Sequence, residues 1–168
     1  MRNIVLYLRN APTPDGTTPN RARIEQTEER FKPHVVPVLR GSTVDFPNAD
    51  VVFHNVFSLS SAKSFDLGRY PKGQAKSVTF DESGVVQVFC HIHSDMSAVV
   101  LVLDNPYFVS PDADGRYAIP RLPAGDYTLV AWHERIRPIT HRLHLEPGQV
   151  AHVDFTIPLP AADAAHER

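Results

Sequence analysis

The chain has 168 residues, of which 42% are hydrophobic and 21% charged, and a formal net charge of −2 with neutral histidines. This length suits one medium domain or two small ones. The near-neutral charge gives no basic footprint for nucleic acid, and no stretch approaches the about eighteen apolar residues of a membrane helix, so we expect neither nucleic-acid binding nor membrane insertion. A single cysteine excludes an internal disulfide framework and multi-cysteine zinc or iron–sulfur sites, whereas nine histidines direct attention to a metal.

The periodicity of the chain is mostly two, which is typical of strands. Residues 1–9 alternate and are too short for a secretory signal, so they predict a strand. Further strands are predicted at Val35–Leu39, Val51–Phe57, Val85–Cys90, Ala98–Leu103, Tyr127–Trp132 and Val150–Ile157. Gly, Pro, Asn and Asp bound most of these runs, and no helix longer than two turns is convincing, although Ser58–Ser64 could hold one short turn. The pattern predicts an all-β protein.

Burial also predicts the register of one C-terminal hairpin. Leu143 and Leu145 should share an inward face with Val153 and Phe155, because a slip of one residue would turn every side chain over. The predicted pairs are 143 with 153 and 145 with 151 on this face, and Arg142 with Asp154 and His144 with His152 on the outer face. Two histidines alone rarely make a metal site, so no functional role is assigned to the His144–His152 pair.

The segment Val88–Met96 carries the chemistry. A strand ends in Cys90, His93 follows three residues later and Met96 six residues later, while an upstream strand carries His54. A thiolate and two imidazoles with a weak thioether are the ligands of a mononuclear blue-copper electron-transfer site. Two alternatives stay open: a zinc site made by His54, Cys90 and His93, which leaves Met96 without a use, and a buried free cysteine beside loop histidines.

Two other histidines are candidates for additional metal ligands. His91 should point away from the metal by strand alternation, and its alternative is a His-x-His chelate with His93. His34 begins a strand and is expected to be structural, with an approach to the metal as its alternative. No serine-hydrolase elbow, phosphate-binding loop or His-Glu-x-x-His motif is present in the sequence, so we expect no enzymatic activity.

Residues of about 24–103 resemble the cupredoxins. The strand with His54-Asn55-Val56 and the loop Cys90-x-x-His93-x-x-Met96 are similar to the short-loop form of amicyanin, and the run His54–Ser58 is similar to cupredoxins labelled methylamine utilization proteins. The resemblance implies a Greek-key β-sandwich that binds one copper ion, Cu(I) or Cu(II), through His54, Cys90, His93 and Met96. It also implies that Asn55 ties the two ligand loops together, that the ring edge of His93 is the electron exit, and that the protein is periplasmic or secreted.

The segment after Pro106 resembles a carboxypeptidase regulatory-like, or transthyretin-like, β-sandwich. The similarity lies in Asp112–Pro120 and in Leu122–His133, where the Pro-Ala-Gly-Asp turn leads into a strand. We therefore expect a strand at 1–9 that pairs with the C-terminal domain, a cupredoxin domain at 22–104, a carboxypeptidase regulatory-like domain at 105–158 and a flexible tail at 159–168.

The expected function is that of a type 1 copper protein that carries single electrons between redox protein partners. One alternative is a periplasmic copper carrier or chaperone, which an exposed His91 beside His93 would favour, because a second imidazole allows stepwise ligand exchange. The other alternative is a metal-free or zinc-stapled β-sandwich that serves as an interaction module.

Overall fold

The computed structural model describes residues 3–158, so the tail expected at 159–168 lies outside the described residues. Within residues 3–158 the chain forms strands and turns and no helix, which confirms the all-β prediction. In the same part of the chain, no helix is long and apolar enough to cross a membrane. The strands are β1 (Val5–Arg9), β2 (Arg21–Arg23), β3 (Glu25–Thr27), β4 (Arg30–Lys32), β5 (Val35–Leu39), β6 (Ser42–Pro47), β7 (His54–Ser60), β8 (Lys63–Tyr70), β9 (Ala75–Phe80), β10 (Gly84–Phe89), β11 (Ser97–Leu103), β12 (Phe108–Val109), β13 (Gly125–Trp132) and β14 (Ile139–Leu145).

The chain divides into two compact units. The central unit comprises residues 13–106, and the terminal unit comprises, within the described part of the chain, residues 3–12 together with residues 107–158. The central unit has a five-stranded sheet in the order β5-β11-β10-β7-β8, a three-stranded sheet in the order β2-β6-β9, and the β3–β4 hairpin. Strand β5 runs parallel to β11, whereas β10 pairs antiparallel with both β11 and β7.

The core of the central unit is filled from both of its larger sheets. Val44 and Phe46 of β6 and Val86 and Val88 of β10 are fully buried in one apolar cluster. Alternate residues of a strand point to opposite faces, so the residue two places after Val88 also faces inward. That residue is Cys90, which is 6% exposed and belongs to the same cluster.

Strands β7 and β8 form a hairpin where the sequence suggested one short helical turn at residues 58–64. The backbone turns at residues 61 and 62, and the strand pairing continues on both sides. The register shifts between Asn55 and Phe57, and the opposite strand accommodates the shift with Gly68 at a φ of 66°. Bulges of this kind redirect side chains next to functional sites, and this one lies beside His54.

The terminal unit contains one four-stranded sheet in the order β12-β1-β13-β14. Strand β1 pairs antiparallel with β13 from Val5 opposite Trp132 to Arg9 opposite Thr128, and its other edge pairs with β12. Leu6, Leu8, Tyr107, Tyr127, Leu129, Ala131 and Leu145 form the apolar cluster of this unit.

The strand predicted at Val150–Ile157 and its hairpin with β14 are wrong. Residues 150–158 have no strand pairing, and β14 pairs with β13 instead, which places His144 opposite Asp126 and not opposite His152. The alternation still holds, because Val153, Phe155 and Ile157 pack half-buried against the apolar cluster of this unit. The Tyr117 hydroxyl donates to the Val153 carbonyl at 2.6 Å. Periodicity therefore identified the inward side chains, but it could not identify a hydrogen-bonding partner for the backbone.

Candidate metal centre

His54 and Cys90 meet at one end of the central sandwich. His54 begins β7 and is 0% exposed, and Cys90 follows the last residue of the neighbouring strand β10. Both side chains continue the inward-facing series of their strands, so both point into the same end of the core. The His54 Nδ1 atom lies 3.9 Å from the Cys90 Sγ atom.

The loop after Cys90 brings His93 to the same place. The amide of Met96 donates to the His93 carbonyl at 3.1 Å, and the amide of Cys90 donates to the Met96 carbonyl at 3.2 Å, so the loop is closed by its own backbone. The His93 ring packs against the His54 ring with centroids 4.9 Å apart. One donor atom each from His54, Cys90 and His93 lies within 4.8 Å of the others.

One ring nitrogen of His93 has no hydrogen-bond partner among the described residues. The Nδ1 atom of His93 is buried and unsatisfied. A buried polar atom without a partner costs about 1–3 kcal/mol, so such atoms call for an explanation in a native structure. A metal ion coordinated by this lone pair supplies one, and a thiolate with two imidazoles is a donor set that suits copper or zinc. The residues present therefore fit a metal ion.

Met96 is held near these ligands by the loop. Its side chain is 0% exposed and belongs to the apolar cluster of the central unit. Its amide is bonded to the His93 carbonyl, and its carbonyl accepts from the Cys90 amide, so its backbone is fixed relative to both residues.

Asp50 orients His54, and sequence reasoning missed it. The Asp50 Oδ2 atom lies 2.8 Å from the outer ring nitrogen of His54, Nε2. The carboxylate accepts a hydrogen bond from Nε2–H, which leaves Nδ1 free to coordinate a metal. Burial raises the pKa of Asp50, but bonds from the Glu29 amide, the His54 ring and the Glu28 amide outweigh it, so the pKa lies below its ordinary value. An aspartate four residues before His54 on an irregular loop gave no signal in the sequence.

Asn55 connects β7 to the loop after Cys90. Its Oδ1 atom accepts from the His91 amide at 2.7 Å, and its Nδ2 atom donates to the Asp66 carboxylate at 3.1 Å. Asp66 in turn accepts from the Gly68 amide in the bulge of β8. The Gly68 amide, together with Asn55 and His91, lowers the pKa of Asp66 against the effect of burial.

His91 points away from the three ligands. Its ring stacks on Phe57 with centroids 3.7 Å apart and an interplanar angle of 5°, and its Nε2 atom lies 3.8 Å from Asp66 Oδ2. Among the described residues, the His/Cys/Asp/Glu group that could hold an ion comprises His54, Cys90 and His93 and does not include His91. The alternative of a His-x-His chelate with His93 therefore has no support in the geometry.

The remaining candidate histidines make other contacts. The His34 Nδ1 atom lies 2.9 Å from the Ser97 carbonyl, so this ring fixes the start of β5 to the start of β11. His144 lies between Asp126 at 2.8 Å and Glu146 at 3.2 Å.

Tyr70 lies opposite His54 in the β7–β8 hairpin. Burial, together with the neighbouring Cys90, raises the pKa of Tyr70 well above its ordinary value.

No family model and no curated protein matches this chain. Among solved structures, the chain is similar to a purple cupredoxin from Nitrosopumilus maritimus, with 24% identity over 49% of this chain and 99% of that chain and a TM-score of 0.44. It is also similar to an oxidized amicyanin variant, with 24% identity over 49% of this chain and 82% of that chain and a TM-score of 0.47. A copper-containing nitrite reductase from Thermus scotoductus SA-01 has 22% identity over 55% of this chain and 25% of that chain, with a TM-score of 0.48.

Proposed function

We propose that this protein is a mononuclear copper protein of the cupredoxin type that carries single electrons. The observation that carries the proposal is the convergence of Cys90 Sγ with one nitrogen each of His54 and His93 within 4.8 Å. The unsatisfied Nδ1 of His93 supports it, because that lone pair is buried at the same place. When bound, copper supplies a reversible one-electron couple between Cu(I) and Cu(II).

The chain's own residues hold this site in one geometry. His54, Cys90 and His93 are the three strong ligands of the proposal, and Met96 is the weak axial ligand. The ligands are positioned by strand ends, by the closed loop and by the Asp50 carboxylate. A site that is held by its own backbone and hydrogen bonds reorganises little when the charge on the metal changes, which favours fast transfer of an electron.

Asn55 completes the arrangement from the neighbouring strand. Its bond to the His91 amide holds the residue after Cys90, so the strand that carries His54 and the loop that carries His93 cannot separate freely. Substitution of a residue that holds a metal ligand in this way typically lowers metal affinity about 10–100-fold.

Visible absorption of the copper-loaded protein tests the proposal. Cu(II) added to the purified chain should give the intense charge-transfer band of a copper–thiolate bond, and Cys90→Ser should abolish it. Ser58→Ala, a buried change on the inward face of β7, is the matched control and should keep the band. Weak absorption that is identical in the Cys90→Ser protein would contradict the proposal and would favour a copper carrier that binds through histidines alone.

Zinc is the competing metal for the same three ligands. A thiolate and two imidazoles bind Zn²⁺ well, but zinc has no redox couple and no use for a thioether ligand. A one-electron redox cycle of the copper-loaded protein, followed by the thiolate band, separates an electron-transfer site from a structural zinc staple. The electron-carrier proposal requires the band to disappear on reduction and to return on reoxidation without loss of the metal.

We also propose a periplasmic or secreted location and a supporting role for the terminal unit. The location is supported by the resemblance of residues 24–103 to cupredoxins, and fractionation of the producing cells tests it. The terminal unit is proposed to be a carboxypeptidase regulatory-like sandwich, supported by its Pro-Ala-Gly-Asp turn, which leads into β13. In this proposal the terminal unit transforms no substrate, and the physiological partners are redox proteins.

A further inference from the structure

We infer that Glu29 makes the electron exit at His93 selective for redox partners with a cationic, lysine- or arginine-rich docking surface. This inference rests on the proposed function and names the partner class of the same site. It starts from the orientation of His93, whose Nδ1 is buried at the metal centre and whose other ring nitrogen, Nε2, lies 3.9 Å from Glu29 Oε2. The outer edge of the ring therefore has a carboxylate beside it.

The position of Glu29 is fixed by the site itself. Glu28 and Glu29 form the turn of the β3–β4 hairpin, with φ angles of 53° and 54°, which non-glycine residues seldom adopt. Asp50 holds this turn, because its two oxygens accept from the amides of Glu28 at 2.7 Å and Glu29 at 2.8 Å. The carboxylate that orients His54 thus also places Glu29 beside His93.

The carboxylates of Glu28 and Glu29 have different neighbours. The Glu28 carboxylate forms an ion pair with Lys32, so its charge is locally compensated. The Glu29 side chain is 62% exposed and faces His93, while His93 itself is 25% exposed. A partner that takes an electron through the His93 edge must approach this carboxylate.

Three apolar side chains close to the two histidines in the chain are exposed. Val51, Phe53 and Ile92 are 84%, 56% and 39% exposed, and they lie within three residues of His54 or His93 along the chain. Apolar contact permits brief docking with many proteins, whereas charge complementarity selects the partner and sets the rate of encounter. A carboxylate beside the His93 edge favours a cationic partner and disfavours an anionic one.

The first test uses the metal-free full-length chain and two inert paramagnetic ions. Hexaamminechromium(III) is a cation and hexacyanochromate(III) is an anion, and each broadens the amide signals of the residues it approaches. In the unmodified chain the cation should broaden the signals of Ile92 and His93 more than the anion does. Glu29→Gln should reduce the effect of the cation about threefold at low ionic strength, because one charge near the site is lost.

The matched control is Glu82→Gln. Glu82 is exposed in the turn before β10, at the opposite end of that strand from Cys90, and its substitution changes the net charge by the same amount. Glu29→Gln keeps the turn, since Asp50 is bonded to the Glu29 amide and not to its side chain. Equal broadening in the Glu29→Gln and Glu82→Gln proteins would overturn the inference.

The second test measures electron transfer in the copper-loaded chain. One electron passes from Cu(I) either to tris(phenanthroline)cobalt(III), which becomes cobalt(II), or to hexacyanoferrate(III), which becomes hexacyanoferrate(II). The ratio of the cobalt rate to the iron rate should fall about tenfold in Glu29→Gln and stay unchanged in Glu82→Gln. If the chain fails to bind copper, the proposed function fails, while the first test still decides whether Glu29 attracts cations to the His93 edge. If copper binds normally and the ratio is the same in both variants, the inference alone fails.

Discussion

The histidines of the metal centre and His144 of β14 show two different uses of an imidazole. His54 has one nitrogen bonded to Asp50 and the other 3.9 Å from the Cys90 sulfur. His144 has both nitrogens beside carboxylates, those of Asp126 and Glu146, and its ring is 59% exposed. The first arrangement leaves a lone pair for a metal, whereas the second favours the doubly protonated, charged ring.

The difference shows why a count of histidines says little about metal sites. A histidine ligand needs one ring nitrogen that donates its N–H to a fixed acceptor and a second ring nitrogen that faces the other metal-binding atoms. His54 and His93 are brought together with a thiolate by two neighbouring strand ends, whereas His144 lies opposite an aspartate in a regular ladder. The following predictions compare the two regions by matched substitutions.

The largest effect is expected when one ligand is removed. His93→Asn should abolish the intense copper–thiolate band, because the third strong ligand is lost. His144→Asn should leave both the band and the copper stoichiometry unchanged. Visible titration with Cu(II) measures both variants. Loss of the band in His144→Asn would contradict the assignment of metal binding to His54 and His93 and not to His144.

A smaller loss is expected when the acceptor behind His54 is weakened. Asp50→Asn should lower copper affinity about 10–100-fold, since the amide no longer holds the His54 ring as a carboxylate does. Asp126→Asn, which changes the acceptor behind His144, should have no effect on affinity. A competition titration with a chelator of known affinity measures the change. Equal copper affinities in the two variants would show that Asp50 does not orient His54 for metal binding.

The convergence of the candidate metal ligands could be predicted from the sequence, but the residues that orient them could not. The spacing of Cys90, His93 and Met96 described one loop, and strand alternation correctly turned His91 away from the site. Asp50 and Glu29 could not be found, because they reach the histidines through a turn and a loop that have no periodicity. Contacts between irregular segments depend on the folded backbone and leave no pattern in the chain.

The same limit explains the error in the terminal unit. Alternation placed Val153 and Phe155 correctly toward an apolar cluster, since side-chain burial is what periodicity reports. The pairing of β14 depends on backbone hydrogen bonds, and its partner strand is β13. The ladder runs from Gly125 opposite Leu145 to Ala131 opposite Ile139. The predicted His144–His152 neighbours therefore never form as a cross-strand pair.

The smallest effect is a pH dependence at His144. Hydrogen bonds that the His144 ring donates to the Asp126 and Glu146 carboxylates raise the pKa of His144 above its ordinary value. A pKa that is higher in the folded state stabilises the fold at acidic pH; this contribution is complete below the unfolded value of about 6.5 and is lost as the pH rises through the folded value. The urea midpoint should therefore decline over that interval, and His144→Gln should flatten the decline.

Nuclear magnetic resonance titration of the ring checks the same prediction directly. His144 should titrate above the value of His144 in the urea-unfolded chain. Asp126→Asn should bring the folded value down toward the unfolded one. Titration of the folded ring at or below the unfolded value would contradict the assignment of His144 as the charged histidine.

The central claim is that a thiolate and two imidazoles of this chain bind one copper ion. X-ray absorption at the copper edge of the loaded protein tests it most directly, because the method resolves sulfur from nitrogen in the first coordination shell. The account predicts one short copper–sulfur bond that disappears in Cys90→Ser, together with two imidazole nitrogens, one of which disappears in His93→Asn. A shell of nitrogen and oxygen alone in the unmodified protein would contradict it.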